Sequence, residues 1–238
     1  MRKGMCVVLG LTLAFTVSAQ AQVWDELADG GGDAGDVLPL QQTPGPPDVP
    51  LVAITGTIDS STDVDCYSIF IPAPTAFFAT TVGTPGTLSD TQLFLFDKRL
   101  DPTGAGPLGI IMNDDHPGGG TLRSTLTGGV GVSGPEDFGS VPAPGSYMLC
   151  VTGFNRDPVS PGGTIWAPGS VGGSFAWESE PIGPYAGPGA PGPHIGWTGS
   201  TGTGTYFIEL GGVATKPEPG TLSLLALGGL ALLRRRRS

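Results

Sequence analysis

The chain is expected to be all-β, a single β-sandwich or jelly-roll-like domain. Three observations carry that expectation. The apolar residues fall in short runs of strand length, rich in β-branched and aromatic types, with Gly and Pro punctuation between them. No stretch between residues 22 and 216 shows a capped 3.6-residue period. Gly and Pro make up 41 and 24 of the 238 residues, a share at which disorder competes, yet mean hydropathy is positive. About 195 residues between the two ends suffice for one domain with a core.

The expected strands run in order. Leu51–Ile58 alternates, with Leu51, Ala53 and Thr55 set against Val52 and Ile54. Val64–Ile71 is β-branched and aromatic, and Phe77–Val82 and Thr91–Phe96 follow it. Leu108–Met112 is a short apolar run and Thr121–Leu126 a weaker one. Ser146–Thr152 and Thr205–Leu210 are strong, and residues 174–177 are a candidate ninth strand. Residues 22–50 form an acidic, Gly/Pro-rich approach, and residues 51–213 the domain. Between the last two core strands, residues 155–197 read as a long ordered insertion. It is dense in Gly and Pro but holds Trp166, Trp177 and Trp197, which a plain linker rarely does. The rings either cover one end of the sandwich or present flat faces that suit sugars, and the three tryptophans are the candidate glycan-binding residues.

Both ends carry export signals. Arg2 and Lys3, the apolar run Met5–Val17 and Ala19-Gln20-Ala21 form a signal peptide over residues 1–21. At the other end, Pro217-Glu218-Pro219 precedes an apolar run of thirteen residues, 221–233, closed by Arg234, Arg235, Arg236 and Arg237. The run is shorter than the roughly 17–25 residues of a full bilayer span, and the arginines would remain cytoplasmic. Residues 214–238 closely resemble the PEP-CTERM sorting tail. That resemblance implies a short transmembrane sorting helix, transient inner-membrane insertion, cleavage by an exosortase-type protease, and a cell-surface or extracellular destination among bacteria that make exopolysaccharide. It says nothing of what the cargo does.

Without the two signals, five basic residues face all 21 acidic ones, a net charge near −16. Nucleic acid is excluded as a partner, because binding it requires phosphate-neutralising Lys and Arg. Divalent cations, or simple self-repulsion at a surface, suit such a chain better.

Four motifs occur in order: Asp63-Val-Asp65-Cys-Tyr67, Asp90-Thr-Gln-Leu-Phe-Leu-Phe-Asp97, Asn113-Asp114-Asp115 and Pro144-Gly145-Ser-Tyr147-Met-Leu-Cys-Val151. Together, over about residues 33–153, they resemble the bacterial pre-peptidase C-terminal domain, a β-sandwich of secreted and surface proteins. The segment after residue 153 departs from that pattern. Some members bind calcium through the N-terminal approach and an early loop. Carried over, this implies Asp33, Asp36, Asp63 and Asp65 as candidate calcium ligands, calcium being the only cofactor in view. Against it, aspartates at strand ends also cap turns through their own backbone.

Cys66 and Cys150 are the thiols left after signal removal, and in an exported chain a disulfide between them is expected, two buried free thiols being the alternative. His116 and His194, each beside Pro or Gly, match no catalytic motif, and neither a nucleophile elbow nor a zinc-protease helix is present. The chain therefore reads as a structural or adhesive surface or matrix protein rather than an enzyme. A carbohydrate-binding module is the alternative, with extracellular polysaccharide as partner, and a secreted hydrolase comes after it.

Overall fold

A computed structural model describes residues 20–98, 104–116, 120–128, 141–167, 178–179, 181 and 185–216. Most of the signal peptide, the whole motif Pro217, Glu218, Pro219 with Arg234–Arg237, residue Trp177 and the candidate strand 174–177 lie outside the described residues.

The described chain is all-β, with thirteen strands and one short 3-10 turn, Pro74–Ala76. One five-stranded sheet is ordered β1 (Gln22–Asp25), β2 (Leu51–Ile58), β13 (Gly204–Gly211), β4 (Phe78–Thr80), β7 (Thr125–Thr127). The other is ordered β11 (Glu178–Ser179), β6 (Leu108–Asn113), β5 (Thr91–Asp97), β8 (Gly145–Gly153), β3 (Asp65–Ile71). A small third sheet joins β10 (Gly163–Thr164), β9 (Arg156–Ser160) and β12 (Gly196–Gly199). All eight core strands expected from the sequence overlap observed ones.

The two large sheets pack face to face over Ile54, Ile58, Tyr67, Ile69, Leu93, Leu95, Tyr147, Leu149, Val151, Tyr206 and Ile208. Every residue of β5 is buried, although its sequence TQLFLFD would ordinarily show one wet face. The reason is a second core on the far side of the same sheet: Phe94, Phe96, Met148, Cys66, Cys150, Met112, Ile165 and Trp166 pack there. The insertion supplies the cover, so it lies over a sheet face rather than over one end. Strands buried on both faces lose the polar alternation of a half-buried sheet, and β5 and β8 show this. Trp166 is 4% exposed, and its ring centroid lies 5.6 Å from that of Phe94 and 5.8 Å from that of Phe96. Gly109 leaves the ring room, since a Cβ there would sit 2.5 Å from Trp166 Cη2. Trp197 is partly buried against the same cluster, and its indole N–H donates to the Asp36 carbonyl at 2.6 Å. As a platform for sugar stacking, Trp166 is thus not on offer, because burial of its apolar ring outweighs leaving it wet, while Trp197 stays partly exposed.

The second core is cross-linked. Cys66 and Cys150 stand directly opposite on β3 and β8 and form the expected disulfide, Cα to Cα 4.1 Å.

The approach 22–50 is structured more than its composition suggests. Its first residues form β1, parallel to the start of β2. Residues 34–42 then cover the outer edge of β3: Cys66 N–H donates to Ala34 O at 3.1 Å and Ser68 N–H to Gln42 O at 2.7 Å. An edge covered in this way offers no template for pairing with another chain.

Candidate metal centre

Three carboxylates from three segments converge where the first approach turn meets the start of β3. They belong to Glu26, which directly follows β1, Asp33 in the approach, and Asp65, the first residue of β3; one oxygen from each lies within 4.8 Å of the others. Glu26 is held by two main-chain donors, Ala34 N–H and Thr57 N–H, each at 2.9 Å. The Asp25 carboxylate accepts from Leu27 and Ala28 N–H and from the Thr55 hydroxyl, which fixes the turn that aims Glu26 inward. Those same bonds hold the Asp25 carboxyl below its ordinary range, Ala28 most of all. Gln42 ties the approach together, accepting from Trp24 Nε1 at 2.8 Å and donating to Glu26 O at 3.0 Å.

Asp65 is the anomaly. It is 0% exposed, and neither carboxylate oxygen has a hydrogen-bond partner. The Tyr206 hydroxyl and the Glu26 carboxyl lie beside it without completing a bond of good geometry. Burial, then the neighbouring Glu26 and Asp63, push its pKa up to about 10. Two orphaned acceptors on one buried side chain cost several kcal/mol unless something neutralises or coordinates them. Gly56 in β2 is part of the same enclosure, because a Cβ there would collide with the Tyr206 hydroxyl and with Glu26 Oε2. Tyr206 and Tyr67 share a hydrogen bond at 2.5 Å, and burial pushes both phenols well above their ordinary values. A groove of about 360 Å³, lined among others by Thr55, Gly56, Thr57 and Phe207, reaches Glu26.

The four sequence candidates separate. Asp33 and Asp65 meet. Asp63 is a neighbour whose Oδ2 instead accepts Asp59 N–H at 2.7 Å; burial, then Asp33, Asp59 and Glu26, raise its pKa to about 6. Asp36 turns its backbone carbonyl to the second core, toward Cys66 Sγ and Trp197 Nε1, and is not in the cluster. Glu26 was missing from the sequence set. It follows a four-residue strand, QVWD, with too little alternation to be read, so nothing marked it as an inward-facing end.

The donor set fits a hard, oxygen-seeking cation. Three carboxylates supply up to six oxygens, and a carboxylate oxygen accepting one N–H keeps a lone pair for a metal. Calcium takes six to eight oxygens from such groups, backbone carbonyls and water. Glu26, Asp33 and Asp65 would hold it, and its charge would compensate the buried carboxylates.

A second group, Asp90, Asp114 and Asp115, gathers at the same end of the sheet, beyond β5 and β6. Burial first, then Asp115, Asp90 and Asp157, raise the Asp114 pKa to about 7. All three residues are partly exposed.

No family model matches the chain, and no curated protein is significantly similar to it in sequence. Among the described residues, no helix is long and apolar enough to cross a membrane.

Proposed function

We propose that this is an exported surface or extracellular-matrix structural protein. It is a β-sandwich of the pre-peptidase C-terminal kind, sorted and cut through its C-terminal tail and rigidified by calcium at Glu26, Asp33 and Asp65. The observation that carries the calcium reading is Asp65, fully buried with both oxygens unpartnered and two other carboxylates against it. The export reading rests on the two terminal signals and the acidic composition. A cation bound there joins the end of β1 in one sheet to the start of β3 in the other, so its role is to lock the approach onto the sandwich.

The test is thermal or urea unfolding of the purified protein in calcium and in chelator. At a hundredfold excess over Kd, one site adds about 2.7 kcal/mol. The Asp65→Asn variant should fold in chelator at least as stably as the parent, since it replaces a carboxyl that must take up a proton to be buried, and should gain nothing from calcium. An equal calcium response in parent and variant sinks the reading. Fractionation of the producing cells tests export: full-length, uncut protein in the cytoplasm contradicts it.

A further inference from the structure

Two features meet at the start of the first strand. On the export reading, the cut after Ala19-Gln20-Ala21 leaves Gln22 as the first residue of the mature chain. Gln20 and Ala21 are exposed and lie outside any strand, whereas β1 begins at Gln22 itself. Gln22 is partly buried. Its backbone N–H donates to Pro50 O at 2.8 Å, and its side-chain Nε2 donates to Gly45 O. Oε1 of the same amide is buried without a hydrogen-bond partner, so the side chain is tied at one end only. The strand that starts here carries Trp24, 9% exposed, and ends one residue before Glu26 of the cation cluster.

We propose that Gln22 is a self-modification site: once freed by the cut, its α-amine closes onto its own side-chain amide and gives an N-terminal pyroglutamate. In that step the α-nitrogen lone pair attacks Cδ, a C–N bond forms and the Cδ–Nε2 bond breaks. Ammonia leaves, made of Nε2, its two hydrogens and the proton given up by the amine. Both reacting groups belong to one residue, so the reaction needs no co-reactant and no second residue. An ordinary α-amine has a pKa of about 7.7–8.0, so about one in ten is neutral at pH 7, and the loss of ammonia draws the rest through. The product keeps the bond that starts β1, because the lactam nitrogen retains one N–H for Pro50 O. What is lost is the bond from Nε2 to Gly45 O. The ring also leaves no free amine at which an aminopeptidase can start, so β1 and the turn that aims Glu26 are shielded from stepwise trimming. This inference rests on the export reading and is independent of the cation site.

The experiment takes the protein as the producing cells export it, fresh and after several days at pH 7. Primary amines are dimethylated first, which stops ring closure during work-up, and the N-terminal peptide is then read by tandem mass spectrometry. The expected peptide begins at residue 22, carries no label on its α-nitrogen and is lighter by one ammonia. A peptide that begins at residue 22 with a dimethylated amine, even after the incubation, overturns the proposal and leaves the cleavage reading standing. A chain that begins anywhere else overturns both. Hydrogen exchange of the Glu26 amide, which donates to Thr55 O at 2.9 Å, tests whether the ring fits the ladder. Its protection should be equal in the cyclised protein and in Gln22→Ser, which keeps a free amine; a loss of about tenfold or more in the cyclised protein overturns the fit.

Discussion

Replacing Trp166 with Ala asks directly whether the insertion is a packed layer or a sugar-binding platform. The ring is 4% exposed and lies between Phe94 and Phe96, over Gly109. A buried aromatic removes about 150–250 Å² from water, which at about 25 cal/mol per Å² is about 4–6 kcal/mol as an upper figure. Measured aromatic truncations in cores fall at about 3–5 kcal/mol. The lower part of that range is expected, because a layer made of short strands and loops can settle partly into the gap. Domains of this size are stable by about 5–15 kcal/mol, so the loss is a large fraction of the total. It should be concentrated in the third sheet and the strands beneath it. Urea unfolding followed by far-UV circular dichroism gives the magnitude, and native-state hydrogen exchange gives the location, with β9 and β12 amides losing protection before those of β2 and β13. An unfolding free energy within about 1 kcal/mol of the parent, together with lost retention on extracellular polysaccharide, would refute the packing argument and restore the tryptophan as a ligand contact.

Three further outcomes are expected. Replacing both Cys66 and Cys150 with Ala opens a loop spanning 84 residues of sequence, which in the chain-entropy model costs about 4–5 kcal/mol; urea midpoints check it, and a change under about 1 kcal/mol argues against the cross-link. Gly56→Ala places a methyl against the Tyr206 hydroxyl and Glu26 Oε2, so it should weaken calcium binding about tenfold or more by titration calorimetry, about 1.4 kcal/mol per decade, while an unchanged affinity removes Glu26 from the site. His194 is 3% exposed between Phe96 and Trp197, and burial pushes its pKa down from 6.5 to about 4. The unfolded chain therefore takes up the proton first. The stability that neutral His194 supplies is whole above pH 6.5 and is lost as pH falls toward 4. Relative to His194→Phe, the parent should lose about 3 kcal/mol across that window, and parallel pH profiles for the two proteins would contradict this. The comparison must be differential, because Asp63 and Asp114, with raised pKa values, gain stability over the same descent.

Much of the fold was legible because its signals are local. Alternation in Leu51–Ile58, the β-branched run of β3 and the strong runs of β8 and β13 each report a strand through nearest-neighbour chemistry, and turn residues separate them. The insertion's strands were not legible for the same reason. Pro158 sits inside β9, and β12 is GWTG, so local propensity argues against both, and they exist because they cover Phe94, Phe96 and Met148.

The candidate metal site divides the same way. The sequence by itself determined that carboxylates cluster near Asp33 and Asp63–Asp65 and that Cys66 and Cys150 each lie in a run of strand-like residues, since each is written in adjacent residues. Only the tertiary structure decided that Glu26 joins Asp33 and Asp65 while Asp36 faces away, and that Trp166 is core rather than surface. Those facts depend on which strands become neighbours and which faces are covered twice, and such long-range choices are made by burial of the whole chain, not by any one segment's pattern.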